Sequence, residues 1–119
     1  MKVLVVGMNP SGRDLKDKKG PTLNRLESWM EQVGVHHFSF MNTFDEPGET
    51  KLIKVDFKRL CKVAEEYDKI VALGGFASSA LNTINVSHFK LPHPSPLNRL
   101  LNDKTFEQNI LKECKEYLK

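Results

Sequence analysis

Cysteine is scarce in this chain, with Cys61 and Cys114 alone among 119 residues. Two thiols cannot supply the four ligands an iron–sulfur cluster normally needs, and both sit at apolar positions of expected helices, so packed free thiols are expected in place of a disulfide. Zinc is no better supported. His36 and His37 are adjacent and would point to opposite faces of a strand, and His88 and His93 have no cysteine or paired carboxylate at ligand spacing. No metal and no cofactor is expected. Long hydrophobic runs are missing too: nothing approaches the roughly 20 apolar residues of a membrane span. Strand-like residues directly after Met1 do not read as a signal peptide, so an intracellular protein, cytoplasmic or nucleoid-associated and without a membrane partner, is expected. Neither a GxGxxG turn nor a Lys-Ser/Thr phosphate loop is present, which disfavours a nucleotide-binding α/β domain. Repeats, low-complexity tracts and linkers are also missing, leaving one domain over residues 1–119 with little room for a second function.

What is present is a regular alternation of strand and helix signals. Lys2-Val3-Leu4-Val5-Val6-Gly7 is an apolar run stopped by glycine, the pattern of a strand buried on both faces, and a polar loop over 8–21 follows. From Thr22 to Val33, Leu23, Leu26, Met30 and Val33 recur at helical spacing with Trp29 among them, and Gly34 suits the C′ position. A second strand, Phe38-Ser39-Phe40-Met41-Asn42, precedes an aperiodic segment over 43–55 that contains Pro47 and Gly48. Asp56 is a good N-cap for a helix carrying Phe57, Leu60, Cys61, Ala64 and Tyr67 on one face. A third strand is expected over Lys69–Leu73. Gly74-Gly75 then turns into a short helix with Phe76, Ala77, Ala80, Leu81 and Ile84 inward, where Ser78 and Ser79 read as ordinary polar positions. A brief fourth strand around His88–Leu91 and a last helix capped by Asp103, with Phe106, Ile110, Cys114, Tyr117 and Leu118 inward, complete the series. The order βαβαβαβα calls for an α/β fold, a three-layer αβα sandwich around a four-stranded parallel sheet.

The segment Leu91-Pro92-His93-Pro94-Ser95-Pro96-Leu97-Asn98-Arg99 sets an imidazole, a hydroxyl, a leucine and a guanidinium on a loop stiffened by three prolines, each of which fixes φ near −65°. In an open α/β sheet, ligand sites lie beyond the carboxyl ends of the strands. That places this loop on the same edge as Met8-Asn9-Pro10-Ser11-Gly12. The net charge of +3 is modest. Its placement is more telling, because Arg13, Lys16, Lys18 and Lys19 crowd the first loop while Arg99 and Lys104 follow the last, where nucleic-acid phosphates would pass.

Gly7-Met8-Asn9-Pro10-Ser11 and His93-Pro94-Ser95-Pro96-Leu97 together resemble the two signature motifs of the uracil-DNA glycosylase superfamily. Between them, Phe38–Asn42 is similar to its second core strand, and Val71-Ala72-Leu73-Gly74 with Ala77 and Leu81 to its third strand and following helix. The resemblance spans most of the chain in order. It implies that the sandwich is of the uracil-DNA glycosylase type and that the chain removes uracil, or a related deaminated or modified pyrimidine, from single- or double-stranded DNA as a metal-independent monomeric hydrolase of base excision repair. By the same resemblance Asn9 and His93 are catalytic, Asn9 orienting water and His93 donating a hydrogen bond to the base oxygen that gains charge. Gly7, Met8, Asn42 and Phe44 line the base pocket. Ser11, Ser95 and Arg99 hold phosphate, and Leu97 is the wedge that fills the space of the extruded nucleotide. Asn42 suits uracil chemically: one amide offers a donor for O4 and an acceptor for the N3 proton, a pattern that cytosine inverts.

Asn9 stands where some branches of the superfamily carry aspartate and the mismatch-specific and single-strand-selective branches carry asparagine. An amide is no strong general base, so slow turnover is expected. The chain is also shorter than most members, and the aromatic segment usual after the first motif is replaced by Arg13-Asp14-Leu15-Lys16-Asp17-Lys18. A floor for base stacking is left to Phe40, Phe44 or Phe76, with nothing to single one out. The same residues fit plainer roles: His93 in a solvated loop, Asn42 ending a strand by capping a turn, Asn9-Pro10 forming a turn. A second class therefore stands beside the enzyme, a catalytically weak or inactive nucleic-acid-binding module of the same fold.

Overall fold

A computed structural model describes residues 2–7, 21–43, 55–94 and 99–119. The described residues form an α/β sandwich whose four strands, β1 (Val3–Gly7), β2 (Ser39–Asn42), β3 (Lys69–Leu73) and β4 (Phe89–Leu91), pair in parallel in the order β2-β1-β3-β4. Helices α1 (Pro21–Gln32), α2 (Phe57–Ala64), α3 (Gly74–Thr83) and α4 (Lys104–Tyr117) cover the sheet.

All five residues of β1 are buried, as a strand with helices on both faces requires. Alternation along it separates two cores. Val3 and Val5 face Leu26, Trp29 and Met30 of α1 and Leu111 and Cys114 of α4, while Leu4 and Val6 face Leu60 of α2 and Ala77, Ala80 and Leu81 of α3. This division follows from chain direction. The β1–α1–β2 crossover steps one way along the sheet and the two later crossovers step the other way, so right-handed connections put α1 on one face and α2 and α3 on the opposite one.

Capping follows the sequence. The Asp56 side chain accepts from the Arg59 amide, and Asp103 accepts from the amides of Thr105 and Phe106. Gly34, with φ of 85°, ends the α1 segment in the left-handed conformation expected of a C′ glycine. Several local expectations shift. The second strand begins at Ser39, which leaves His36 and His37 as exposed residues of the preceding connection and not on opposite strand faces. α2 ends at Ala64, before Tyr67. A 3-10 turn over Arg99–Asn102 precedes α4. Cys61 is only half-buried, with its thiol 3.9 Å from Glu65 Oε1. Cys114 is fully buried, and burial pushes its thiol up to about 11, so it remains a protonated packing group.

His88 does not extend β4. Its Nδ1 donates to the Val86 carbonyl at 2.8 Å, which leaves Nε2 to accept from the buried Ser78 hydroxyl at 2.8 Å. A polar position of α3 is thereby tied to the approach to β4. Among the described residues no helix is long and apolar enough to cross a membrane, and no group of three or more His, Cys, Asp or Glu side chains is placed to hold a metal ion.

Trp29 is fully buried, and its indole Nε1 donates to Glu107 Oε1 at 2.9 Å, linking α1 to α4 across the core. Replacing Trp29 by Phe removes volume and the donor together. The variant is expected to lose about 2 kcal/mol of unfolding free energy, read as a lower urea midpoint at unchanged m-value, whereas an unchanged midpoint would mean that this link contributes nothing.

Candidate functional site

β1 is the strand from which the chain leaves in one direction and to which it returns on the other side, so the carboxyl ends of β1 and β3 flank the topological switch point of the sheet. Both ends are glycines or run directly into one: Gly7 closes β1, and Gly74 follows Leu73 with φ of 86°. A polar side chain lies beside each of these glycines.

Gly7 pairs in register with Asn42 of β2, so the two residues share a sheet face, the one covered by α1 and α4. A Cβ at Gly7 would stand 2.8 Å from Asn42 Oδ1, closer than real Cβ atoms come, and 3.0 Å from Phe40 Cζ, a tight contact, so one of these side-chain ends would have to shift. The Thr43 amide donates to the Gly7 carbonyl at 2.9 Å, carrying the pairing one step past Asn42 and fixing the end of β2 against β1. On the other side of the crevice, His93 packs over Gly74, its Cβ 3.5 Å and its Cδ2 3.8 Å from where a Gly74 Cβ would be. Pro94, next in the chain, is fully buried, and Leu91 before it is buried as well. The backbone on either side of His93 is thus anchored while His93 stays on the exposed side. Strands β2 and β4 are three spacings apart, about 14 Å at the usual inter-strand distance. Asn42 leans into that interval beside Gly7 of β1, and His93, beyond the end of β4, packs beside Gly74 at the start of α3.

Desolvation holds the His93 imidazole below the ordinary histidine value, because burial penalises its charged form. At neutral pH this favours the uncharged imidazole, which has one N–H donor and one acceptor nitrogen. Lys90 Nζ comes to 3.9 Å from the position of a Gly75 Cβ, which adds a cation at the start of α3.

Of the residues singled out from sequence, Gly7 and Asn42 stand side by side at the carboxyl edge of the sheet, and His93 lies beside Gly74 on the same edge. Asn9, Met8, Ser11, Phe44, Ser95 and Leu97 lie outside the described residues, and for Arg99 only the backbone, at the start of the 3-10 turn, is described. Phe40 is the neighbour that sequence reasoning named only as one of three aromatics. Its alternation with Asn42 along β2 carried the signal, since residues two apart on a strand share a face. No protein-family model matches the chain, and no curated protein matches it at a significant level.

Two measurements check this geometry. In Gly7→Ala the new methyl must displace either the Asn42 amide or the Phe40 ring, and the overpacking is expected to cost about 1–3 kcal/mol; unchanged stability with an unmoved Asn42 side-chain amide resonance would contradict the crowding. For His93, the folded chain binds a proton more weakly than the unfolded chain. Its imidazole resonances should therefore titrate below 6.5, and its contribution to stability, complete at neutral pH, should fall away as pH drops below 6.5. Titration at or above 6.5 would contradict this.

Proposed function

We propose that the chain is a DNA glycosylase of the uracil-DNA glycosylase type, a cytoplasmic or nucleoid-associated monomer that hydrolyses the N-glycosidic bond of uracil or a related deaminated or modified pyrimidine in DNA and leaves an abasic site. The observation that carries this reading is the pairing of Asn42 over Gly7 with His93 over Gly74, on the two sides of the switch point where open α/β sheets bind ligands.

The chemistry follows from charge. As the C1′–N1 bond breaks, the departing pyrimidine takes the electron pair and the sugar becomes oxocarbenium-like. Water adds to C1′ through its oxygen, and the proton it gives up is taken by the departed pyrimidine anion, so that the products are the free base and the abasic sugar. A neutral His93 supplies a hydrogen bond to the base oxygen that gains charge, and a donor fixed in advance is worth most there because it need not reorganise during the reaction. Asn42 matches the O4 and N3–H edge of uracil and mismatches that of cytosine, whose unpaired polar groups would then be buried. In this reading Asn9 orients the water, Gly7 and Met8 border the base with Phe44, Leu97 takes the extruded nucleotide's place in the stack, and Ser11, Ser95 and Arg99 meet phosphates. No step calls for a metal or a cofactor.

The amide at Asn9, where a carboxylate would be the better base, favours one second reading: a binding module of the same fold that recognises the base and hydrolyses it slowly or not at all. Labelled single- and double-stranded oligonucleotides with one uracil, treated with alkali after incubation, separate the two. Scission by the wild type that falls about 100-fold or more in His93→Ala supports the enzyme, since removing one such donor costs about that much. Uracil-dependent binding without scission supports the module. Neither scission nor uracil-dependent binding would contradict both.

A further inference from the structure

His93 follows the shortest strand among the described residues. β4 has three residues, lies at an edge of the sheet and pairs with β3 alone, ending with Leu73 opposite Leu91. At the usual rise per residue such a strand is a lever about 10 Å long, so freedom at its start becomes displacement at its end. The contacts that hold β4 therefore decide where His93 stands.

On one face the Phe89 ring packs against Tyr117 of α4, with ring centroids 5.6 Å apart. From the side of α3, the buried Ser78 hydroxyl reaches the start of the strand, 2.8 Å from His88 Nε2. The ring's other nitrogen fixes the direction of that bond. A carbonyl only accepts, so the 2.8 Å contact with the Val86 carbonyl places the hydrogen on Nδ1, and in the uncharged ring Nε2 is left to accept from Ser78. The imidazole is thus held at both nitrogens, once by its own connection and once by α3.

Ser78 lies one helical turn after Gly74, and it is Gly74 that His93 packs beside, with its Cβ 3.5 Å from where a Gly74 Cβ would be. Two contacts therefore join α3 to the β4 segment, Ser78 with His88 before the strand and Gly74 with His93 beyond it. We infer that Ser78 and His88 are positioning residues of the site: their hydrogen bond clamps the start of β4 to α3 and so sets where His93 stands beside Gly74. The placement of His93 concerns this chain alone, while its consequence for turnover rests on the proposed function. In that reading neither Ser78 nor His88 touches the base. They act through His93, so their loss lowers the rate of the chemical step and leaves affinity for the strand as it was.

The test uses the full chain with Ser78→Ala, which removes the hydroxyl while alanine keeps the helix propensity of α3, and with His88→Phe, which keeps a ring without its nitrogens. In each, the His93 imidazole and Gly74 amide resonances should move, and His93 should titrate closer to 6.5 as its ring leaves a partly desolvated place. Single-turnover uracil release at saturating protein should fall roughly 10- to 100-fold, the scale of a misplacement of about 1 Å, at an unchanged half-saturating concentration. In a His93→Ala background the same substitutions should lower the rate no further, because residues that act as a unit are not additive. Wild-type His93 resonances and titration in both variants would overturn the inference. A rate loss that persists in the His93→Ala background would also overturn it, since it points to a general structural role. A wild type that releases no uracil would remove the proposed function, and the His93 resonances would still decide whether the clamp positions that side chain.

Discussion

The absence of a side chain at Gly7 is the constraint from which the arrangement of the crevice follows. Asn42 and Phe40 both lie on β2, an edge strand, and an edge strand's side chains would ordinarily stand beside β1 instead of over it. The space at residue 7 admits both, with the amide oxygen and the ring edge each within 3.0 Å of where a methyl group would be. Gly74 is demanded by its backbone, since its φ of 86° turns β3 into α3 without the strain a larger residue would suffer, and His93 packs beside it at ordinary contact distance. The missing side chain at Gly7 thus lets groups of the outer strand β2 lean toward the middle of that edge.

Rigidity behind that edge comes from packing. β1 is buried along its whole length between two helical layers, and the Thr43 amide bond to the Gly7 carbonyl locks the end of β2 to it. Pro94 is buried directly after His93, so the imidazole is borne by an anchored backbone and not by a free loop. Partial desolvation lowers the pKa of that imidazole, because burial penalises its charged form. Packing, protonation and position are consequences of one fold choice, the crossover of the chain between β1 and β3.

Much of this was legible in the residues. The apolar run of β1, the helical spacing of α1, the aspartate caps at Asp56 and Asp103 and the order of elements give the parallel sheet directly, because each is a local pattern with a single geometric meaning. The placement of Gly7, Asn42 and His93 at the same sheet edge followed from strand polarity alone, since parallel strands end on the same side. Tertiary detail was not legible. Whether Phe40 or Phe76 stood beside Asn42 depended on which sheet face each occupied, and that is decided by crossover handedness across the whole chain. His88 looked like a strand residue, yet its hydrogen bonds to Ser78 and Val86 hold it outside the ladder. Cys61 looked packed and is half-buried, because it sits one position round the helix from the buried stripe of Leu60 and Ala64.

The most direct measurement of the central claim is the nuclear magnetic resonance response of two side chains, the Asn42 amide and the His93 imidazole, as a single-stranded oligonucleotide bearing one uracil is added to the wild-type chain at low temperature. If the crevice at the ends of β1 and β3 holds one base between them, both sets of resonances move together with a common saturation point, and the same strand with cytosine in place of uracil leaves the Asn42 amide unmoved. Saturable binding that shifts neither side chain, or shifts both equally with cytosine, would contradict it.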